Sequence, residues 1–467
     1  MEILPKVAWL GIDTDSHREW LVREGPENLG CLAATCAIRL GCLKEAVELL
    51  ELGRSVFWTQ ASSLRGDFES LKKEQPELAK GLEDVGRRLD GGRFSNLLRG
   101  PEEPDIPMNS AENIRNERRH LVSEWERLVE EARQISGFEY FLKLIPFSQL
   151  RQAAPAGQVT IINVSQYGVD AVIFGATGPI EHVSLTDIDH DELTELSKNM
   201  VSMRPINSSE LQRRSYVKRY LKPALRKVWG LILVHIFNHI SIPLTAADNT
   251  PPSRRIWWYP TGPLTFIPVH AAGPVGGATD VSRLVISSYV TTIGSILQAR
   301  KNSRPITKVP QKLLTVSQAE TLGESSLPQT MGEVDDITHV FRSSGWSDED
   351  IICLHGSDAT VSRVSCALDI CSWVHLACHG SQDAILGMKS AFSLHDGSLK
   401  LNEIASKWLS VGQFAFLSTC HAASGLEGLP GEATHLAAGI QFAGFPSVIA
   451  TLWRIRDEDA PKLAGHF

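Results

Sequence analysis

Two residues capable of nucleophilic chemistry follow two short apolar runs near the C-terminal end of the chain. The first run begins at Trp373 and leads to His379, and the second begins at Phe414 and leads to Cys420. Continuous apolar runs are typical of the inner strands of a parallel sheet, which are buried on both faces. Because reacting groups collect at the carboxyl ends of such strands, the sequence predicts that His379 and Cys420 lie together at one edge of a sheet.

A cysteine and a histidine placed together can attack a peptide carbonyl. A free thiol has a pKa of about 8.5 and is mostly protonated at neutral pH, whereas an imidazole with a pKa of about 6.5 can accept its proton. The same imidazole can then protonate the leaving amine. Gly380 has no side chain to obstruct a substrate, and its N–H group could form an oxyanion hole with that of Cys420. The alternative stays open, because a cysteine at a strand end is often only a small buried hydrophobe.

Strands and helices that could position these residues begin at about Gly137. Residues 158–164 and 170–175 predict a β-hairpin, and Glu210–Ile240 predicts a long helix with a kink or break at Pro223. From residue 255 onwards, apolar runs alternate with helical patterns, which favours an α/β sheet with parallel inner strands. We therefore predict one α/β domain over residues 137–467.

Residues 1–136 are predicted to be helical. Leu121, Trp125, Leu128 and Ala132 recur at the spacing of a single helical face. Paired amphipathic helices suit a helical repeat array, in which stacked repeats bury faces that one pair leaves open. We interpret this region as the tail of such an array, which would bind a regulatory protein or a substrate.

Composition and motif searches weigh against several classes of function. A net charge of −8 argues against nucleic acid as the main partner, and we interpret basic clusters such as 213–219 as solvated helix faces. No apolar run is long enough to span a membrane, and the N-terminus lacks the pattern of a signal peptide. The eight cysteines include no C-x-x-C pair, so free thiols in a reducing cytoplasm are expected. His235 and His239 are four apart on a predicted helix but lack the glutamate of a zinc-protease motif, so we expect no metal and no cofactor.

The same residues resemble the CHAT family, which are caspase-like domains often found with tetratricopeptide repeats. The resemblance rests on the motifs at residues 375–380, 417–420, 431–437, 443–444 and 448–453, followed by Asp457. The helices before them are similar to the tetratricopeptide-repeat-like tail that precedes such domains in filamentous fungi. The resemblance covers nearly the whole chain.

This resemblance implies a caspase–haemoglobinase fold and a cysteine endopeptidase that acts on protein substrates. By the family pattern, His379 is the base, Cys420 the nucleophile and Gly380 the oxyanion-hole glycine. Some relatives are switched on by partners and act in cell-death or immune signalling, so a similar role is expected here. Relatives usually continue to another strand, so the chain ending at Phe467 is expected to lack its last strand.

Substrate preference stays open at the level of sequence. Caspase relatives cleave after Asp, whereas others of this fold cleave after Arg or Lys. An acidic pocket residue such as Asp383 or Asp457 would favour a basic P1 residue, although Asp383 also suits a loop position that caps its own backbone. The rival to a peptidase is a non-catalytic scaffold that keeps the fold for partner binding, and a missing last strand would favour it.

Overall fold

The computed structural model of the protein contains two five-stranded sheets with helices packed on both faces. The structure describes residues 26–54, 64, 68–95, 108–136, 138, 141–142, 145–154, 157–205, 209–245, 251–274, 276, 279–302, 311–382, 389–407, 409–420, 422–423 and 435–466. The segment 137–467, which the sequence predicts to be one domain, contributes the strands of both sheets.

The first sheet is mixed and has the strand order β3-β2-β1-β4-β5. The predicted hairpin is confirmed, because β1 and β2 are antiparallel and the pair closes at Ser165 and Gly168. Beyond the hairpin, β4 runs parallel to both β1 and β5. The strands are β1 Gln158–Ser165, β2 Gly168–Gly175, β3 Glu181–Ser184, β4 Arg255–Pro260 and β5 Ile286–Tyr289.

Ten helices of the described residues belong to the first sheet or precede it. They are α1 Pro26–Arg39, α2 Leu43–Gly53, α3 Glu69–Glu74, α4 Pro76–Ser95, α5 Met108–Arg133, α6 Phe147–Leu150, α7 His190–Ser202, α8 from Glu210 to His239, α9 Val281–Leu284 and α10 Ile293–Asn302.

The N-terminal helices pack in two groups. Residues of α1 and α2 share a core with one face of the first sheet, where Val159 and Ile161 of β1 are fully buried. Helices α4 and α5 form a second cluster, and Leu121, Trp125 and Leu128 are buried in it on the face that the sequence predicts. The helical character of the region is therefore confirmed for the described residues, while its interpretation as a repeat tail stays a prediction.

Helix α8 continues past Pro223, where the sequence predicts a kink or break. It consists of α segments joined by two π turns, Val217–Leu221 and Trp229–Leu233. Pro223 lies in the first turn of the α segment Lys222–Val228, where a missing N–H group is tolerated. The π turn just before it absorbs the change in backbone hydrogen bonding, so the helix stays continuous.

The second sheet is entirely parallel and has the order β13-β12-β8-β6-β7. A small antiparallel sheet of order β11-β10-β9 follows the end of β8. The strands are β6 Leu313–Ser317, β7 Ile351–His355, β8 Trp373–Ala377, β9 Gly380–Ser381, β10 Ala391–Ser393, β11 Ser398–Lys400, β12 Phe414–Ser418 and β13 Ser447–Ala450. The helices are α11 Gln329–Ser343, α12 Val361–Leu368, α13 Leu401–Ala405, α14 Leu436–Ala443 and α15 Ala460–Ala464.

The two faces of the second sheet differ in polarity. Leu376 of β8 and Leu417 of β12 point into an apolar core that also contains residues of α12, α13 and α14. Helix α11 packs on the opposite face, where His375 and Thr315 are buried in register with each other. Residues alternate between faces along a strand, so His375, Ala377 and then His379 are expected on the polar face.

Candidate active site

The carboxyl ends of β8 and β12 bring the predicted cysteine and histidine to one edge of the second sheet. The parallel register pairs Leu376 with Leu417 and Ala377 with Ser418. His379 and Cys420 each follow this last pair by two residues. The two chains are still close there, because a Cβ atom added to Gly380 would lie 2.7 Å from the carbonyl oxygen of Cys420.

The ring of His379 is held by a backbone carbonyl. The side chain is buried, and its Nε2 atom lies 2.6 Å from the carbonyl oxygen of Ser325. Because a carbonyl oxygen only accepts hydrogen bonds, Nε2 carries the proton and donates it, which leaves the lone pair on Nδ1. Arg454 donates a hydrogen bond of 3.1 Å to the hydroxyl of the same Ser325, so this residue connects the histidine to the chain after β13.

The thiol of Cys420 is half-buried and is protonated at neutral pH. Burial raises its pKa above the ordinary value, and the charge of Arg454 and the N–H group of Ile455 oppose this only in part. A nearby carboxylate, Glu324, raises the pKa of the thiol further. Among the described residues, no hydrogen bond joins the Cys420 thiol to the His379 ring, so the attacking thiolate is not preformed.

Gly380 lies in the small sheet with its N–H group outside the ladder of hydrogen bonds. Ser393 donates its N–H group to the carbonyl of His379 at 2.9 Å, which makes these two residues the hydrogen-bonded pair. In an antiparallel ladder the next pair, Gly380 and Phe392, is then the non-hydrogen-bonded one. The amide of Gly380 therefore does not donate to Phe392.

Asp457 and Asp383 are the two acidic residues that the sequence suggests for a substrate pocket. Asp457 accepts the N–H group of Gln329 at 2.9 Å and so caps the first turn of α11. This contact gives its carboxylate a structural partner. Asp383 lies outside the described residues, and a pocket role for either residue stays a prediction.

A buried contact between a glutamate and a second histidine lies under α11, on the same face of the sheet as His379. Glu333 Oε1 lies 3.0 Å from His375 Nε2, with side chains only 1% and 4% exposed. The geometry of the contact between Glu333 and His375 is not that of a hydrogen bond. The buried hydroxyls of Thr315 and Ser418 also make no hydrogen bond among the described residues. A buried contact of this kind is sensitive to loss of either side chain, because the remaining polar group would stay buried without its neighbour.

The two histidines with the spacing of a metal site on one helix face, His235 and His239, each have an acidic neighbour. Nε2 of His239 lies 2.8 Å from Glu181 and Nε2 of His235 lies 3.6 Å from Asp187, so the two rings face separate carboxylates. No cluster of three potential ligands occurs within the described ranges. No helix in that part of the chain is both long and apolar enough to cross a bilayer.

The second sheet is a parallel α/β sheet, and a histidine and a cysteine follow two of its neighbouring strands. The sequence profile of the CHAT domain matches residues 225–467, just over half of the chain. The chain therefore belongs to the CHAT domain family, whose caspase-like domains are related to cysteine peptidases. The match begins within α8, so it takes in β4 and β5 of the first sheet as well as the whole second sheet. No curated protein matches the chain at a significant level.

Sequence reasoning missed the residues that surround the histidine and cysteine. Ser325 acts through its backbone carbonyl, so its residue type gives no indication of this role. Arg454 and Ile455 follow β13, and the rule that sites form at the carboxyl ends of strands identifies their segment but not their contacts. Glu333 appears in sequence as an ordinary charged position of a helix, and only packing shows that it faces His375.

Proposed function

We propose that the chain is a cysteine endopeptidase in which Cys420 is the nucleophile and His379 the general base. The observation that carries the proposal is the shared sheet edge, where His379 and Cys420 each lie two residues beyond the last paired residues of β8 and β12. The carbonyl of Ser325 supports it by fixing the tautomer that leaves Nδ1 of His379 basic.

The reaction begins when Nδ1 of His379 takes the proton of the Cys420 thiol. The sulfur then attacks the carbonyl carbon of the scissile peptide bond and gives a tetrahedral oxyanion. His379 returns the proton to the departing amine, which breaks the C–N bond and leaves a thioester on Cys420. A water molecule, deprotonated by His379, attacks this thioester, and the thiol regains a proton as the acid product leaves.

The raised pKa of Cys420 makes the base essential. A thiol with an ordinary pKa near 9 is on the order of 1% ionised at pH 7, and burial reduces this fraction further. Attack therefore requires proton transfer to His379 once a substrate has displaced water from the site. Removing the imidazole should lower kcat/KM by about 100- to 10,000-fold.

The N–H group of Gly380 is the donor best placed to hold the oxyanion. The small sheet leaves it outside the hydrogen-bond ladder, and the glycine backbone packs against Cys420. The amide of Cys420 itself is the second donor of the proposed oxyanion hole. Loss of one such donor costs about 100- to 1000-fold in rate.

The test is cleavage of a peptide library with Asp, Arg or Lys at P1. Wild-type protein is compared with Cys420→Ala, His379→Ala and the control Cys366→Ala, which removes an exposed cysteine of α12. We expect cleavage at one class of P1 residue, loss of cleavage in the first two variants, and unchanged cleavage in the control. Equal cleavage by wild type and Cys420→Ala would refute the proposal.

A non-catalytic scaffold is the second candidate, and two observations favour it. No hydrogen bond joins His379 to Cys420 among the described residues, and burial holds the thiol in its protonated form. The scaffold predicts no cleavage of any library member and equal partner binding by wild type and Cys420→Ala. The peptidase predicts that Cys420→Ala traps substrates that the wild type releases as products.

A further inference from the structure

Helix α8 presents a row of cations along one side of a cleft. Described residues of this helix line a cleft of about 610 Å³, with Val217 as an apolar member and Glu210 as the one carboxylate. Five cations line the same cleft: Arg213, Arg214, Lys218, Lys222 and Arg226. Such an excess of positive charge attracts anions and repels other cations.

The cations are kept in line by the irregular geometry of the helix. Arg214, Lys218, Lys222 and Arg226 recur every four residues, and this spacing drifts slowly round a regular α-helix. The π turn Val217–Leu221 has more residues per turn than an α-helix, which offsets that drift. The π turn therefore serves to keep a single charged row facing the cleft.

The single carboxylate does not neutralise this row. Glu210 accepts from Arg214 at 2.9 Å and from Arg456 at 3.3 Å, so its two oxygens are occupied. Lys218 and Lys222 are exposed and form no ion pair or hydrogen bond with any described side chain. Arg226 is exposed in the same way, so three cations of the row are available to a ligand.

The cleft is connected to the candidate active site through one short segment. Arg456 contacts Glu210 at the start of the row, and the preceding residue, Ile455, lies near enough to the Cys420 thiol for its N–H group to lower the pKa of that thiol. The start of the row and the proposed nucleophile are therefore joined by two adjacent residues and the side chain of Arg456. The row then leads away from Cys420 along α8.

We propose that this cleft is an exosite, which binds an acidic segment of the protein substrate. This role rests on the proposed peptidase function. At about 1.5 Å per residue, Lys218 lies about 12 Å and Arg226 about 24 Å along α8 from Glu210. An extended peptide covers about 3.3 Å per residue. The acidic segment is therefore centred roughly 6–10 residues from the scissile bond.

An acidic peptide suits the cleft better than a nucleic acid. The protein carries a net charge of −8, which opposes the approach of a polyanion over a wide surface. The cations form one narrow row, and Val217 adds an apolar surface beside it. Carboxylates spaced along a single extended chain match such a row.

Binding is measured first, in the Cys420→Ala protein, so that the result does not depend on catalysis. Fluorescence anisotropy compares a peptide containing six Glu or Asp residues with its Gln/Asn counterpart at physiological salt. We expect tighter binding of the acidic peptide, weakened by about 1.5- to 5-fold for each of Lys218→Glu, Lys222→Glu and Arg226→Glu. Arg219→Glu is the matched control, because Arg219 is exposed on the same helix but does not line the cleft.

Several outcomes overturn the exosite. These are equal binding of the two peptides, equal weakening by Arg219→Glu and Lys222→Glu, and tighter binding of an oligonucleotide of matched charge through the same residues. Binding should also weaken at 0.5 M salt, because exposed charges are screened over a few ångströms.

Catalysis is measured second, with a cleavable reporter joined to the acidic segment by a spacer of 2 or 8 residues. In the wild type, kcat/KM should be higher for the substrate with the longer spacer than for the reporter alone. In Lys222→Glu, the ratio of these two kcat/KM values should approach one. Acidic-peptide binding without cleavage of any reporter would refute the peptidase and leave the exosite intact. Cleavage without any effect of the acidic segment would refute the exosite and leave the peptidase intact.

Discussion

His435 should make the stability of the protein fall steeply in mild acid. The ring caps α14 by accepting the N–H group of Ala438 at Nδ1, at 3.2 Å. Burial lowers the pKa of His435 to about 4, although a backbone contact at Ala422 opposes the shift. The ring is thus neutral in the folded protein at pH values where it is protonated in the unfolded chain.

The sign of the pH dependence follows from this difference. Between the unfolded pKa of about 6.5 and the folded pKa of about 4, the unfolded state binds more protons, so stability is lost as the pH falls. At about 1.4 kcal/mol per pKa unit, the full loss is about 3 kcal/mol. About 2 kcal/mol of it should be gone at pH 5, and almost none at pH 7.5.

The assay is urea unfolding of wild type and His435→Asn at pH 7.5 and pH 5. Asparagine keeps an acceptor for the helix cap but does not titrate. With a slope of about 1–3 kcal/mol per molar urea, the wild-type midpoint should fall by about 1 M more than that of the variant. If both proteins lose the same amount between the two pH values, His435 is not held neutral and the reasoning is refuted.

Substitutions at three further places test separate parts of the structure. Gly380→Ala would place a Cβ atom 2.7 Å from the Cys420 carbonyl oxygen, so the strand end must shift. We expect kcat/KM to fall by about 100-fold, and unchanged kinetics would contradict this. Burial raises the pKa of Glu51, although two N–H groups of α10 act to lower it. The stability that Glu51 contributes should therefore be lost as the pH rises through its folded pKa. Urea unfolding between pH 4 and 7 should show this loss in the wild type and not in Glu51→Gln. Glu333→Leu and His375→Leu should each lower the free energy of unfolding by about 1–3 kcal/mol, because each leaves a buried polar group without its neighbour. The double substitution should cost less than their sum, and strict additivity in this double-mutant cycle would contradict the contact.

The strands that carry the candidate site could be predicted because each has a simple pattern. Trp373–Ala377 and Phe414–Ser418 are continuous apolar runs, and the rule for parallel sheets places their carboxyl ends at one edge. The hairpin of β1 and β2 was equally predictable, since two runs rich in β-branched and apolar residues flank a short turn. These features depend on local sequence and on one general rule of topology.

The remaining features depend on contacts between distant segments. Nothing local distinguishes Ser325, whose carbonyl holds His379, from other serines of a loop. Asp457 belongs to a conspicuous acidic segment, yet it caps a helix that begins more than a hundred residues earlier in the chain. The separation of the strands into two sheets likewise follows from packing, because β4 and β5 of the first sheet alternate with helices in the same way as the strands of the second.

The most direct test of the central claim is to locate the site of a covalent adduct. Acyloxymethyl ketone probes with Asp, Arg or Lys at P1 are incubated with the protein, and the modified residue is identified by peptide mass spectrometry. The account predicts a single adduct on the sulfur of Cys420, lost in His379→Ala and retained in Cys366→Ala. Modification of the exposed Cys366 instead, or labelling of Cys420 that does not depend on His379, would contradict it.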